Sequence, residues 1–249
     1  MLRTSTIDVT AADGIADCFL AAPEGVGHYP GILVYMDAFG PRPRLEEMVE
    51  RIAREGYVVL LPNTFYRHGP APLLDTSRLT DPDARSALFD TVRPFMRDLT
   101  PDRVAADADS FVDYLLAHDQ VRGPLGVVGY CFGGALALRT AAHRPADVAA
   151  VAAFHPARLA TDAPDSPHLL ADRIRAEVYV ASADNDPGMP RDQQQRLDEA
   201  LTEAGVKHLC EQYDGAGHGF TMSDTAAYDE AGTDRHWGAM LDLFARTLR

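Results

Sequence analysis

The chain has 249 residues, 46% of them hydrophobic and 24% charged. These are ordinary proportions for a protein that buries a core of its own, and they exclude disorder for the bulk of the chain. With 37 acidic against 23 basic side chains the formal net charge is −14, so the average surface repels a phosphate backbone and nucleic acid is not expected as a partner. No stretch approaches the roughly 18 consecutive apolar residues of a membrane span. The first ten residues lack a basic start followed by an apolar run, so a cytoplasmic location is expected.

In chain order, Ile7–Thr10 and Ile15–Ala21 read as a strand pair around Asp13-Gly14. Gly31–Met36 is a compact apolar run and is predicted to be a buried strand. Leu45, Met48, Val49 and Ile52 recur at helical spacing within Arg44–Glu55, and Gly56 ends that helix. Tyr57–Leu61 reads as the next buried strand, stopped by Pro62. Residues 63–101 depart from this pattern, with five prolines and one short helical stretch, Ala84–Phe95. Long connections of this kind are commonly lids or substrate-binding segments.

Regular alternation then resumes. Helices are predicted at Asp102–Ala117, Gly134–His143, Arg191–Ala204 and His236–Leu248. Strands are predicted at Leu125–Gly129, Val148–His155, Glu177–Ser182 and His208–Tyr213. Short apolar strands alternating with amphipathic helices indicate an α/β fold, a mainly parallel sheet covered on both faces. No repeat, low-complexity tract or linker divides the chain, so residues 1–249 read as one domain.

The strongest local signal is Gly129-Tyr130-Cys131-Phe132-Gly133-Gly134, between a predicted strand and a predicted helix. That context fits a nucleophile elbow, in which the reactive side chain sits on a strained turn and larger residues at the glycines would crowd it. The following helix aims its free N–H groups and dipole at the site, which favours a thiolate and a developing oxyanion. A nucleophile needs a base, and the base an orienting acid. His218 follows the strand His208–Tyr213. Asp184 and Asp186 follow the strand Glu177–Ser182. Each lies just past the C-terminal end of a strand, where parallel α/β sheets place their sites. Asp184, nearer the strand, is favoured over Asp186.

These blocks, with Met36–Gly40, Gly56–Val59 into Leu61-Pro62-Asn63, Ala181–Asp184 and Ala216–Phe220, resemble the dienelactone hydrolase family of α/β-hydrolases. The cysteine in the elbow is the specific part. The resemblance implies a Cys131-His218-Asp184 triad. It also implies an oxyanion hole from the backbone N–H groups of Phe132 and Ala38. The family carries a glutamate where this chain has Asp37, so Asp37 is expected as an auxiliary carboxylate beside the thiol. Dienelactone-specific members place an arginine shortly after the histidine to hold a substrate carboxylate. Here that stretch is Gly219-Phe220-Thr221-Met222, and Arg85 in the excursion is the candidate cation instead. Phe39 and Tyr66, together with Tyr35 and Phe65, are candidates for an apolar pocket wall.

Cys18 and Cys210 read as packing residues, His155 as a local hydrogen-bonding residue, and His236-Trp237 as an anchor for the last helix. No metal-ligand cluster, dinucleotide fingerprint or phosphate loop is present in the sequence, so no cofactor is implied. None of the nine histidines has glutamate two residues on, which argues against a glutamine-amidotransferase-like enzyme. The expected activity is hydrolysis of small ester or lactone substrates through a thioester intermediate, by a monomer or homodimer. A non-catalytic ligand-binding protein of the same fold is the alternative.

Overall fold

The computed structural model describes all 249 residues. One eight-stranded sheet organises them. Its strands are β1 (Leu2–Ala11), β2 (Gly14–Pro23), β3 (Tyr29–Tyr35), β4 (Val58–Pro62), β5 (Val121–Tyr130), β6 (Val148–Phe154), β7 (Glu177–Ala183) and β8 (His208–Tyr213). Their order across the sheet is β1-β2-β4-β3-β5-β6-β7-β8. The β1–β2 hairpin joins antiparallel at the β4 edge, and every pairing from β4 to β8 is parallel.

Six helices cover the sheet: α1 (Pro43–Arg54), α2 (Pro82–Asp98), α3 (Pro101–Ala117), α4 (Gly133–His143), α5 (Arg191–Glu203) and α6 (Glu230–Leu248). Successive strand side chains point to opposite faces, and the packing follows. Leu33, Val58, Leu60 and Val127 pack with α3, α4 and α5 on one face. Ile32, Val34, Val59, Leu61 and Val128 pack with α1 and α6 on the other. Strands buried on both faces read as unbroken apolar runs, which is why β3 and β4 are so plain in the sequence.

Element ends differ from expectation where the sequence signal is weak. β1 starts at Leu2 because its outer half, Arg3–Thr6, is an exposed polar edge with no apolar alternation. β5 starts at Val121 despite Gly123-Pro124, and its pairing register slips beside Pro124, a position where proline is tolerated in a strand. α6 begins six residues before His236. Its cap, Asp229, accepts the Gly232 N–H at 2.6 Å, and a glycine in the first turn hides the start.

The chain winds outward from β3 in both directions, to β4 on one side and β5 on the other. Their carboxyl ends therefore flank a topological switch point, the place where open α/β sheets bind ligands.

Candidate active site

Cys131 follows β5 at that switch point, in the left-handed region at φ 55°. A non-glycine residue there stores strain of order 1–3 kcal/mol, so the surroundings must enforce it. The Cys131 N–H donates to the Phe154 carbonyl at 3.1 Å. Its own carbonyl accepts from the Gly134 and Ala157 amides at 3.1 and 3.3 Å. Close backbone approach explains the glycines. A Cβ on Gly129 would lie 2.0 Å from the Gly133 oxygen, and one on Gly133 would lie 2.5 Å from the Met36 oxygen.

His218 and Cys131 meet, with Nε2 3.1 Å from Sγ. The other ring nitrogen, Nδ1, donates to Asp186 Oδ2 at 2.6 Å. Asp186 is buried, and its second oxygen accepts the Gly188 N–H at 2.7 Å. The favoured Asp184 is thereby corrected. Its carboxylate accepts from Gln212 Nε2 at 2.9 Å and from the Gly215 N–H at 3.1 Å, tying the two loops together. Asn185, at φ 50°, turns the chain between the two aspartates, so the second rather than the first faces the imidazole. Burial opposes protonation of His218, but the charge on Cys131 and the Asp186 hydrogen bond outweigh it and raise its pKa to about 10. The site thus favours the protonated imidazole of His218 beside Cys131.

Neither the Phe132 nor the Ala38 N–H has a protein acceptor. Phe132 precedes the first turn of α4, where amides are left free by helix geometry. Asp37 departs from expectation. It is buried and bonded to Arg42 through both oxygens, at 2.7 and 2.8 Å, and it also accepts the Phe39 N–H at 3.0 Å. It does not hydrogen-bond to the thiol, because the shorter side chain is fully engaged by its own loop. Arg42, which sequence reasoning missed, is buried too and reaches Asp224 at 2.5 Å. The pair sets the turn that carries Ala38.

Arg85 on α2 comes to the site. Its guanidinium carbon lies 5.9 Å from the Phe39 ring centroid, and a methyl group on Gly219 would meet its Nη2 at 3.8 Å. Its buried Nε has no partner. Tyr66 does not line the pocket. Its hydroxyl donates to Asp107 on α3 at 2.8 Å and accepts the Asp13 N–H at 3.3 Å, so the ring serves packing beneath β2. Tyr35 likewise bonds Thr140 at 2.7 Å inside the core. Phe65 stacks on Phe132 with centroids 5.5 Å apart and meets Phe95 edge-on at 5.7 Å, forming an aromatic wall beside the elbow.

His155 packs edge-on against His218 with centroids 5.4 Å apart and bonds Thr221 Oγ1 at 2.8 Å. Complete burial pushes its pKa well down, so it stays neutral. Burial raises the thiol pKa of Cys18 far above its usual value and that of Cys210 to about 12, consistent with inert packing residues.

The mostly parallel sheet, with Cys131, His218 and Asp186 hydrogen-bonded in line at its switch point, has the architecture of the α/β-hydrolase fold. Residues 16–248 match the dienelactone hydrolase family, and the chain belongs to it. It is accordingly an ester or lactone hydrolase. A protein of Synechocystis sp. named "Putative carboxymethylenebutenolidase" is 27% identical over 235 residues, covering 93% of this chain and 92% of that one. The carboxymethylenebutenolidase of Pseudomonas sp. strain P51 is 32% identical over 116 residues, covering 47% and 46%. Among solved structures, a dienelactone hydrolase-like promiscuous phosphotriesterase from metagenomic libraries superposes with a TM-score of 0.82 at 24% identity, covering 100% and 99%. That likeness is one of fold. No helix is long and apolar enough to cross a membrane.

Proposed function

We propose that the chain hydrolyses small carboxylic esters or lactones by thiol catalysis, with Cys131 as nucleophile, His218 as acid and base, and Asp186 orienting His218. The observation that carries this is the continuous line from Cys131 Sγ through the imidazole to the Asp186 carboxylate, at 3.1 and 2.6 Å. The Cys131 thiolate attacks the carbonyl carbon and forms a C–S bond. The resulting oxyanion takes the free Phe132 and Ala38 N–H groups. The C–O bond then breaks, and the leaving oxygen takes the Nε2 proton of His218. Water gives that nitrogen a proton as it attacks the thioester. The C–S bond breaks, the thiolate returns, and a carboxylic acid leaves.

Arg85, an unpaired cation beside Phe39 and Gly219, suits a carboxylate on the substrate close to the reacting carbonyl. The segment 63–101 that carries it is read as the substrate-side cover of one domain spanning residues 1–249.

The test is turnover of p-nitrophenyl acetate and a set of unsaturated lactones by the wild type and Cys131→Ala. We expect kcat/KM to fall by about four orders of magnitude in the variant and a mass increment of one acyl group on Cys131 in the quenched wild type. Equal rates in both proteins would remove Cys131 from the mechanism. Binding without turnover by the wild type would favour a ligand-binding protein.

A further inference from the structure

A groove of about 600 Å³ opens beside the elbow, between α2, the start of α4 and the loop after β6. Phe132 and Ala157 are among the residues that line it. The first follows the nucleophile directly, and the second donates its amide to the nucleophile's carbonyl. The groove is of the size that holds a whole small ligand, more room than a bare lactone ring needs. Its charge is opposite to that of the protein. Four arginines line it, Arg93, Arg97, Arg139 and Arg158, against one aspartate, Asp165, in a chain of net charge −14.

Two of those cations are already matched. Arg139 faces Asp165 at 3.7 Å, and Arg93 pairs with Asp90 at 2.9 Å. Arg97 and Arg158 have no carboxylate partner, although they belong to a chain rich in acids. Arg158 is also held out of the ordinary backbone region, at φ 59°, with its N–H on the Gly188 carbonyl at 2.7 Å. It is therefore anchored to the loop that carries Asp186. Phe89, Met96 and Leu99 supply apolar wall in the same groove.

The geometry points to a substrate with a second anionic position: an ester whose acyl chain runs from Cys131 past Phe132 along this groove and ends in an oxyanion group held by Arg97 and Arg158. This rests on the thiol-hydrolase reading above and adds a site distinct from Arg85, which lies on the Phe39 and Gly219 side. A carboxylate and a phosphate share the required chemistry, because guanidinium forks accept either.

The experiment compares three p-nitrophenyl esters of equal acyl length, ended by a methyl, a carboxylate or a phosphonate, on wild type, Arg97→Gln/Arg158→Gln and Arg85→Gln. The readout is the ratio of kcat/KM for an anionic ester to that for the methyl-ended ester within each protein, so a general loss of activity cancels. The wild-type ratio is expected to reach about tenfold, to reside in KM, and to shrink with added salt. It should fall to near one in the double variant and persist in Arg85→Gln. The better of the two anionic esters identifies the source of the oxyanion. A wild-type ratio near one, a ratio unchanged in the double variant, or a ratio abolished by Arg85→Gln alone would overturn the groove site.

If the wild type hydrolyses none of the esters, the hydrolase reading fails separately. The groove is then read from alkylation of Cys131 by a carboxylate-tailed and an alkyl-tailed iodoacetamide, followed by mass spectrometry. The same ratio collapsing in the double variant supports it, and an unchanged ratio overturns it.

Discussion

The elbow around Cys131 and the excursion 63–101 face each other across the site, yet they are built on opposite terms. At the elbow the backbone is packed so tightly that Gly129 and Gly133 admit no Cβ at all. Cys131 is held in the left-handed region by three backbone hydrogen bonds. Across from it, α2 spans 17 residues but buries only Val92 completely. Its Arg93, Arg97 and Phe89 are spent on solvent and on the groove, while its Arg85 reaches the Phe39 and Gly219 side of the site. Catalysis needs atoms held within a fraction of an ångström, and only dense packing does that. Under the proposed function, substrate choice would fall to the lightly docked helix, whose surface tolerates change.

The sharpest way to break this contrast is Gly129→Ala. A methyl group 2.0 Å from a backbone oxygen cannot be relieved by a side-chain rotation. We expect loss of the cooperative fold, read as absence of a thermal transition in circular dichroism. A folded and active Gly129→Ala protein would show that the elbow is far softer than its geometry implies.

Next in size is the choice between the two aspartates. Asp186→Asn should lower kcat/KM by about 10²–10³, less than the roughly 10⁴ seen when a serine triad loses its acid, because the His218–Cys131 contact at 3.1 Å remains. It should also move the alkaline limb of the pH profile. His218 is raised to about 10 partly by Asp186, so removing that charge brings the loss of its proton, and of activity, to lower pH. Asp184→Asn should change kcat/KM by less than about threefold and leave the limb in place, because its bonds run to Gln212 and Gly215. A large loss in Asp184→Asn with a mild one in Asp186→Asn would reverse the assignment.

The same contrast decides what was legible in the sequence. The β5–elbow–α4 unit could be read residue by residue, since each glycine answers to a steric demand that has no other solution. Buried β3, β4, β6 and β7 were legible for a related reason, because strands covered on both faces must be apolar throughout. His218 stood out among its glycines. Nearness to the strand ranks Asp184 above Asp186, and that ranking fails because the left-handed turn at Asn185 depends on tertiary contacts rather than on spacing. Asp37 is expected at the thiol only from the family's glutamate at that place, and nothing in the sequence links it to Arg42, a partner set by how the loop folds back. Tyr66 illustrates the same limit, since its place beneath β2 follows from Asp107 some forty residues away.

A smaller effect separates the two regions by pH. Tyr130, next to Cys131, is braced by His236. The His236 Nδ1–H donates to the Thr233 carbonyl at 3.2 Å, so Nε2 accepts the Tyr130 hydroxyl at 3.0 Å. Burial lowers the His236 pKa to about 3. Its unfolded-state pKa is near 6.5. A depressed folded value means the contribution to stability is complete above about pH 6.5 and is lost as pH falls toward 3. The thermal midpoint should therefore decline across that window, and His236→Phe should flatten the decline. An equally steep decline in the variant would place the acid sensitivity elsewhere.

The smallest expected effect asks whether the excursion is a separate unit of stability. Val92 is the one residue of α2 that is wholly withdrawn from solvent, and it packs into the α1 and α6 face of the core. Truncating it removes apolar contact from the docked helix while leaving the elbow's backbone hydrogen bonds intact. Regions with few buried contacts open locally, at less free energy than the whole fold. Val92→Ala should therefore accelerate hydrogen exchange of the α2 amides by about tenfold, the equivalent of roughly 1.4 kcal/mol. The α4 amides behind Cys131 should change by less than about twofold. Equal acceleration in both helices would mean that α2 and the elbow open as one unit. In that case the light docking of α2 would not be what lets the substrate side vary while the catalytic side stays fixed.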